Sequence, residues 1–234
     1  MLYDHELTMK FLQMSLSIKF MGKKLFLFSI LFFAVSAAIA QGKWELRKND
    51  NGIQVYTRKA AIGSIKELRV ICELETSKAQ LISTIEDINN YNAWVYSNKK
   101  SVIIKTVGPD NIIYYTQSHL PWPIKDRDLI IELSITSNPQ TLNILAKSIP
   151  DFLPKKSDFI RVPFSVAFWK VTQGMNNKLK VDYTFSLDPG GSIPAWLVNA
   201  TMAIGPYNSF MKLRELLKAK QTKPILKAEN QPAN

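Results

Sequence analysis

Asp188-Pro189-Gly190-Gly191-Ser192-Ile193-Pro194-Ala195-Trp196-Leu197-Val198-Asn199 joins a strand-like run to the longest helical stretch after the first forty residues. Before it, residues 178–188 alternate. Val181, Tyr183, Phe185 and Leu187 share one side, the period-two pattern of a strand with one covered face. After it the period lengthens. Leu197, Thr201, Ile204, Tyr207 and Met211 fall on one helical face, and Pro194 stands in the first turn, where its missing amide costs little. Arg214, Lys218 and Lys220 lie toward the end, where cations suit the helix dipole. The pattern predicts a helix from Ser192 to about residue 219, kinked at Gly205-Pro206. Residues 220–234 are rich in Lys, Pro, Asn and Gln and predict a disordered tail.

Moving outward, the chain upstream reads as an antiparallel meander. Strands are expected at 53–57, 64–75, 100–108, 111–118, 127–137, 140–149, 159–172 and 178–188. Asn49-Asp50-Asn51-Gly52, Gly108-Pro109-Asp110-Asn111, Ser137-Asn138-Pro139 and Gly174-Met175-Asn176-Asn177 mark turns. Trp44–Lys48 reads as a short helical turn. Ser77, with Gln80 three residues on, caps a helix running to about Asp87. An aromatic segment with Tyr91, Trp94 and Tyr96 follows. Strand pair, helix, meander and final helix with no internal repeat make one α+β domain over residues 41–219.

The first forty residues differ in kind. Met21-Gly22-Lys23-Lys24 is a short basic start, Leu25 to Val35 is apolar, and Ala38-Ile39-Ala40 is a small-x-small triplet. This predicts a signal peptide starting at Met21 and cleaved after Ala40, and hence a secreted or periplasmic domain. The apolar run is shorter than the roughly 20 residues of a comfortable span. No Cys follows it that could carry a lipoprotein anchor.

The formal net charge is +11. Removing residues 1–40 takes away Lys10, Lys19, Lys23, Lys24, Asp4 and Glu6, and leaves the domain strongly basic. A basic surface suits an anionic membrane face or nucleic acid. Export and scattered charge argue against nucleic acid. Cys72 is the single cysteine, so no intrachain disulfide forms, and its alternation with Leu68, Val70 and Leu74 predicts a small buried residue. His119 is the one histidine after residue 40. With no second candidate base, no ligand cluster and no Gly-rich phosphate loop, hydrolase triads, metal sites and nucleotide cofactors find no support.

Several motifs resemble the START family of lipid-transfer domains, which have the helix-grip fold. Pro121-Trp122-Pro123-Ile124-Lys125-Asp126-Arg127-Asp128 is similar to the family's Trp-Pro…Arg-Asp segment before a central strand. Asp188-Pro189-Gly190-Gly191…Pro194 is similar to its opening of the last helix. Trp94 and Tyr96 fit its aromatic segment after the first long helix. The resemblance spans about 44–218. It implies a curved antiparallel sheet wrapped on a long C-terminal helix, a hollow holding one lipid or sterol-like molecule, and a gate beside the last helix.

The wall sets expected from alternation are Leu129, Ile131, Leu133 and Ile135; Leu142, Ile144 and Ala146; Phe164, Val166 and Phe168; and Val181, Tyr183, Phe185 and Leu187. The same alternation describes a solid core, and periodicity alone does not separate the two. Tyr114, Thr116, Gln117, Tyr183, Asn199 and Tyr207 could meet a ligand's polar group, while Leu197, Thr201 and Ile204 would face it from the lid. Trp122, Lys125, Arg127, Gly190 and Gly191 form the expected gate and membrane-facing loops; Trp is favoured at lipid interfaces, and glycine bends cheaply. No buried charge in phase with these walls is evident. The resulting expectation is a monomeric, non-catalytic lipid-binding and transfer domain in transient contact with a membrane. Two alternatives stand beside it: a cyclase-like enzyme using Tyr183, Tyr207, Asn199 and Arg161, and an envelope module with a filled core.

Overall fold

Asn51 and Gly52 both lie in the left-handed region, with φ of 50° and 68°. Two such residues in succession make the tight turn whose twist suits a hairpin. They fold β1 (Glu45–Asp50) onto β2 (Ile53–Arg58). The helical turn expected at Trp44–Lys48 is therefore corrected: this segment is an edge strand. Its side chains are mostly exposed, and the register shifts between Leu46 and Lys48, so it carries no alternation to read.

The computed structural model describes residues 42–60, 65–122 and 124–229. The expected signal peptide and Pro123 lie outside the described residues, and so does the break expected at Gly63-Ser64. Beyond the first hairpin come β3 (Glu67–Leu74), α1 (Lys78–Glu86), a 3-10 helix (Ile88–Ala93), β4 (Asn98–Val107), β5 (Asn111–Ser118), β6 (Arg127–Ser137) and β7 (Thr141–Ser148). Then follow β8 (Ile160–Arg161), β9 (Phe164–Gln173), β10 (Leu179–Asp188), α2 (Ala195–Thr201) and α3 (Ile204–Glu229). Ser77 caps α1 as its sequence requires, accepting from the Gln80 amide at 3.1 Å.

One curved sheet runs in the order β1-β2-β3-β10-β9-β7-β6-β5-β4, with antiparallel neighbours. The fold class is α+β, with the C-terminal helix against the sheet. Leu68, Val70, Leu133, Leu142, Ile144 and Val181 from the strands join Leu81 and Ile85 of α1 and Phe210, Leu213 and Leu217 of α3 in one core. Each such side chain contributes about 1.5–3 kcal/mol by leaving water. Polar ties hold α3 at its sides. Gln80 Nε2 donates to the Leu217 carbonyl at 3.1 Å, and the Tyr207 hydroxyl donates to Asp50 Oδ2 at 2.6 Å.

The strand expected over 159–172 is two. Pro163 has no amide to pair and disfavours a continued ladder. Ile160–Arg161 instead pairs in parallel with Arg127–Asp128 of β6. The single kinked helix is likewise two. α2 ends at Thr201, and α3 starts at Ile204, so Pro206 sits in a first turn rather than inside a helix. The irregular tail expected from residue 220 is helical through Glu229, over a stretch with good helix formers such as Leu, Lys and Ala.

At the parallel bridge, Asp128 and Arg161 form a buried two-pronged ion pair, Nε to Oδ1 and NH2 to Oδ2, each at 2.9 Å. Arg161 spends its remaining donors on the carbonyls of Pro150, Leu153 and Pro154, so all five N–H groups are engaged. Removing one member strands a buried charge. Asp128→Ala is expected to lower unfolding free energy by about 3–5 kcal/mol. The double variant Asp128→Leu with Arg161→Met should lose clearly less. Urea denaturation checks both, and a double variant worse than the single one would contradict the pairing.

Candidate functional site

Under the start of α3 the inner face of the sheet leaves a pocket of about 300 Å³. Its walls come from β5 (Tyr114, Thr116), β6 (Leu129, Ile131, Leu133), β7 (Ile144, Ala146), β9 (Ser165, Ala167, Trp169) and β10 (Tyr183, Phe185). The aromatic segment adds Tyr91, Trp94, Val95 and Tyr96, and α3 adds Gly205, Pro206, Ser209 and Phe210. None of the lining residues carries a formal charge. Rings organise one side: Trp169 packs 5.0 Å from Tyr183 and 4.9 Å from Phe210, while Tyr91 meets Trp94 at 5.2 Å and Tyr114 at 5.6 Å. Such edge-to-face and tilted pairs fix the wall beyond what area burial alone supplies.

At Gly205 the helix approaches the aromatic segment closely. A Cβ there would lie 3.1 Å from Tyr96 Cδ1, so glycine lets α3 settle on the ring. The Tyr96 amide donates to Ser209 Oγ at 2.9 Å and fastens the same turn. Gly205 thus serves close approach, not the bending expected of it.

Nine residues expected on the wall or as polar partners do line this pocket: Tyr114, Thr116, Leu129, Ile131, Leu133, Ile144, Ala146, Tyr183 and Phe185. Phe164 and Val166 do not. Phe164 is 49 % exposed, and the inward residues of β9 are Ser165, Ala167 and Trp169. A shift of one residue exchanges the two faces of a strand, and the outward set here happens to be the greasier one. Four lid residues also lie elsewhere. Ile204 is 50 % exposed, Leu197 and Thr201 belong to a helix with no buried residue, and Asn199 Oδ1 accepts from the Lys66 amide at 2.9 Å. Tyr207 is buried, but it bonds Asp50 and Asn51 of the first hairpin. Sequence reasoning missed Trp169, Phe210, Ser165 and Ala167. Trp169 was readable only with the opposite phase for β9.

The four residues of the enzymatic alternative do not converge. Tyr183 lines the pocket, Tyr207 and Asn199 bond other segments, and Arg161 is spent on Asp128 and three carbonyls. Among the described residues no group of His, Cys, Asp or Glu could hold a metal ion. A wider depression of about 600 Å³ elsewhere is lined by Glu73, Glu75, Lys178, Lys180 and Arg214, a charged surface unsuited to an apolar guest.

The motif segments before β6 and before α2 meet at one guanidinium. Arg127 donates to the carbonyls of Lys125, Pro189 (3.3 Å) and Gly190 (3.1 Å). Gly190 and Gly191 have φ of 65° and 67°, and a Cβ on Gly191 would lie 2.9 Å from Ile160 Cδ1. Both glycines therefore hold a fixed, tightly packed turn. Asp126 closes the neighbouring loop, accepting from the Leu120 amide (3.1 Å) and meeting His119 Nδ1 (3.0 Å). The Leu120 amide is the main reason its carboxyl sits below the usual range. Lys125 Nζ donates to the Ser157 carbonyl at 2.6 Å. Trp122 stands 92 % exposed on that loop and Trp196 71 % exposed on α2.

A curved antiparallel sheet gripping a C-terminal helix over an uncharged pocket defines a helix-grip domain. The START domain family model matches residues 33–223, and the chain belongs to that family. An uncharacterised protein of Pseudomonas aeruginosa is 28 % identical over 184 residues, covering 78 % of this chain and 90 % of its own. Phosphatidylcholine transfer protein of Mus musculus is 26 % identical over 193 residues, covering 79 % of this chain and 86 % of its own. Among solved structures, a STAR-related lipid transfer protein from Xanthomonas axonopodis superposes with a TM-score of 0.70 at 26 % identity. The match covers 75 % of this chain and 98 % of that one.

Burial pushes the Cys72 thiol from its ordinary 9.0 up to about 12, and raises the Tyr91, Tyr114 and Tyr183 hydroxyls above their ordinary 10.0. All four stay neutral in the folded state where the unfolded chain ionises. Their contribution to stability is complete below pH 9 and is lost as pH rises beyond it. Urea midpoints should hold up to about pH 9 and fall above. The three tyrosines should ionise, by ultraviolet absorbance, only as the domain unfolds. Reversible ionisation of every tyrosine in folded protein would contradict this.

Proposed function

We propose that the domain binds a single lipid or other large apolar molecule in the pocket under α3 and carries it between membranes, acting outside the cytoplasm. The observation that carries this reading is the uncharged, aromatic-walled pocket beneath the closing helix of a START fold. The lipid-transfer relatives support it, and the leader pattern of residues 21–40 supports export. No helix of the described residues is long and apolar enough to cross a membrane. Contact with a bilayer is then through exposed side chains such as Trp122 and Trp196.

Size sets a condition. A liquid water occupies about 30 Å³, so 300 Å³ is about ten waters and less than a complete lipid needs. Loading therefore requires the start of α3, which covers the pocket with Gly205, Pro206, Ser209 and Phe210, to move outward. α2 can follow that movement, because none of its seven residues is buried and the helix breaks at Met202-Ala203. Its near side is held at the Gly190-Gly191 turn by Arg127. The moving part then runs from the anchored turn through α2 and the helix break to the start of α3.

The same arrangement orients the gate to a membrane. Trp122 lies three residues from Lys125, and Trp196 six residues from Gly190, and Arg127 bonds both Lys125 and Gly190. Phe152 and Leu153 are exposed on the neighbouring loop that Arg161 holds. Amphipathic tryptophans and basic residues suit a lipid interface.

Protein purified without detergent should carry co-purifying lipid by native mass spectrometry, at one molecule per chain. Ala167→Trp, which fills the pocket, should abolish that without unfolding the domain. Wild-type protein that arrives empty and takes up no lipid would overturn the reading. The double variant Trp122→Ala, Trp196→Ala should bind phosphatidylglycerol-containing vesicles on the order of tenfold more weakly in a sedimentation assay, with binding of a soluble apolar ligand unchanged. Equal vesicle binding would remove the proposed membrane face.

A further inference from the structure

Two polar atoms at the pocket have no partner. Trp94 is 6 % exposed, its ring lines the pocket, and its Nε1–H makes no hydrogen bond. Asn98 lines the same pocket. Its Nδ2 donates to Ser101 Oγ at 2.9 Å and to Thr116 Oγ1 at 2.7 Å, but its Oδ1 accepts nothing. Leaving a buried donor and a buried acceptor unmet is costly, and a folded protein seldom does so twice in one place. Asn98 opens β4, and Trp94 stands at the end of the 3-10 helix with its ring centroid 6.5 Å from that of Trp169 on β9. The pocket thus presents two unmet polar groups within a mostly apolar lining.

The sign of charge it excludes is equally defined. No lining residue is acidic, basic or histidine. The buried charges at the start of β6 are engaged elsewhere: Asp128 pairs with Arg161, Arg161 also holds three carbonyls, and Arg127 donates to the carbonyls of Lys125, Pro189 and Gly190. An ionised group drawn inside would find no counter-ion and would lose its hydration, a far larger penalty than burying a neutral group with hydrogen bonds.

We propose that Trp94 and Asn98 form the polar anchor of the pocket, and that the part of the ligand lodged inside is uncharged and carries a hydroxyl. A hydroxyl accepts from an indole N–H and donates to an amide oxygen, so it can answer either unmet atom or both. This rests on the lipid-binding reading above and narrows it: an uncharged amphiphile enters, and a phosphate, carboxylate or ammonium stays outside.

Eight-carbon probes suit a pocket of about 300 Å³. Binding of octan-1-ol, octanoate and octyltrimethylammonium to the full domain would be measured at pH 8 by calorimetry. Octan-1-ol is expected to bind at least tenfold more tightly than either ion. Trp94→Phe, which keeps the ring and removes the N–H, is expected to weaken the alcohol about fivefold while leaving the ions unchanged. An ion binding as tightly as the alcohol, or an alcohol indifferent to Trp94→Phe, overturns the anchor and leaves lipid binding standing. Binding of none of the three overturns both.

Discussion

Two adjacent residues at the start of β6 hold together the end of the molecule where the proposed gate lies. Arg127 reaches the carbonyls of Lys125, Pro189 and Gly190, and Asp128 is locked to Arg161, which in turn holds the carbonyls of 150, 153 and 154. The segment just before β6 and two loops distant in sequence are thereby anchored to one strand end. A buried ion pair adds little net stability over apolar packing, since desolvation offsets attraction. What it supplies here is geometry, because carbonyls aimed at a rigid guanidinium have few alternative positions. The two glycines after Pro189 follow from the same constraint. The turn must pass within contact of Ile160 and Pro163, where a Cβ would not fit.

From that anchor the rest of the chain is placed by ordinary forces. The sheet buries one face, α1 and α3 cover it, and hydrocarbon leaving water provides the driving force. Two constraints keep the cover from closing completely. Aromatic rings packed edge to face stand away from one another more than aliphatic chains do, and α3 rests on Tyr96 through Gly205 instead of sinking further. A void remains beside Trp94, Trp169 and Tyr183. The loops are pinned by these hydrogen bonds, and α2, which precedes the start of α3, has no buried residue. Such a distribution suits a protein that must admit a guest without unfolding its sheet.

Much of this was legible in residue order. The alternation of β6, β7 and β10 assigned their inward faces correctly, because a half-wet strand writes its two faces in different chemistry. Ser77 and Gln80 marked the start of α1, and the motif stretches around Trp122 and Gly190 identified the family. Other features left no such trace. β9 carries apolar side chains on both faces, so its phase could be read either way, and the greasier set of Phe164, Val166 and Phe168 proved to be the outward one. β1 is an edge strand with little burial and a bulge, so it has no period to detect. Tyr207 lies on the face of α3 that the sequence implied, but a hydroxyl's partner is a matter of tertiary placement, and Asp50 and Asn51 reach it first. The break between α2 and α3 was displaced by two or three residues, because Gly205-Pro206 reads as a kink when its role is a helix start.

The central claim is that one apolar molecule resides between α3 and the inner face of β6, β9 and β10. Photo-crosslinking with a lipid carrying a diazirine in its acyl chain, followed by peptide mapping, tests it most directly. The account predicts labelling within 129–133, 165–169, 183–185 and 205–210, competed away by unlabelled lipid. Labelling confined to exposed sites such as Trp122, Phe164 or Trp196, with none in those four segments, would contradict it.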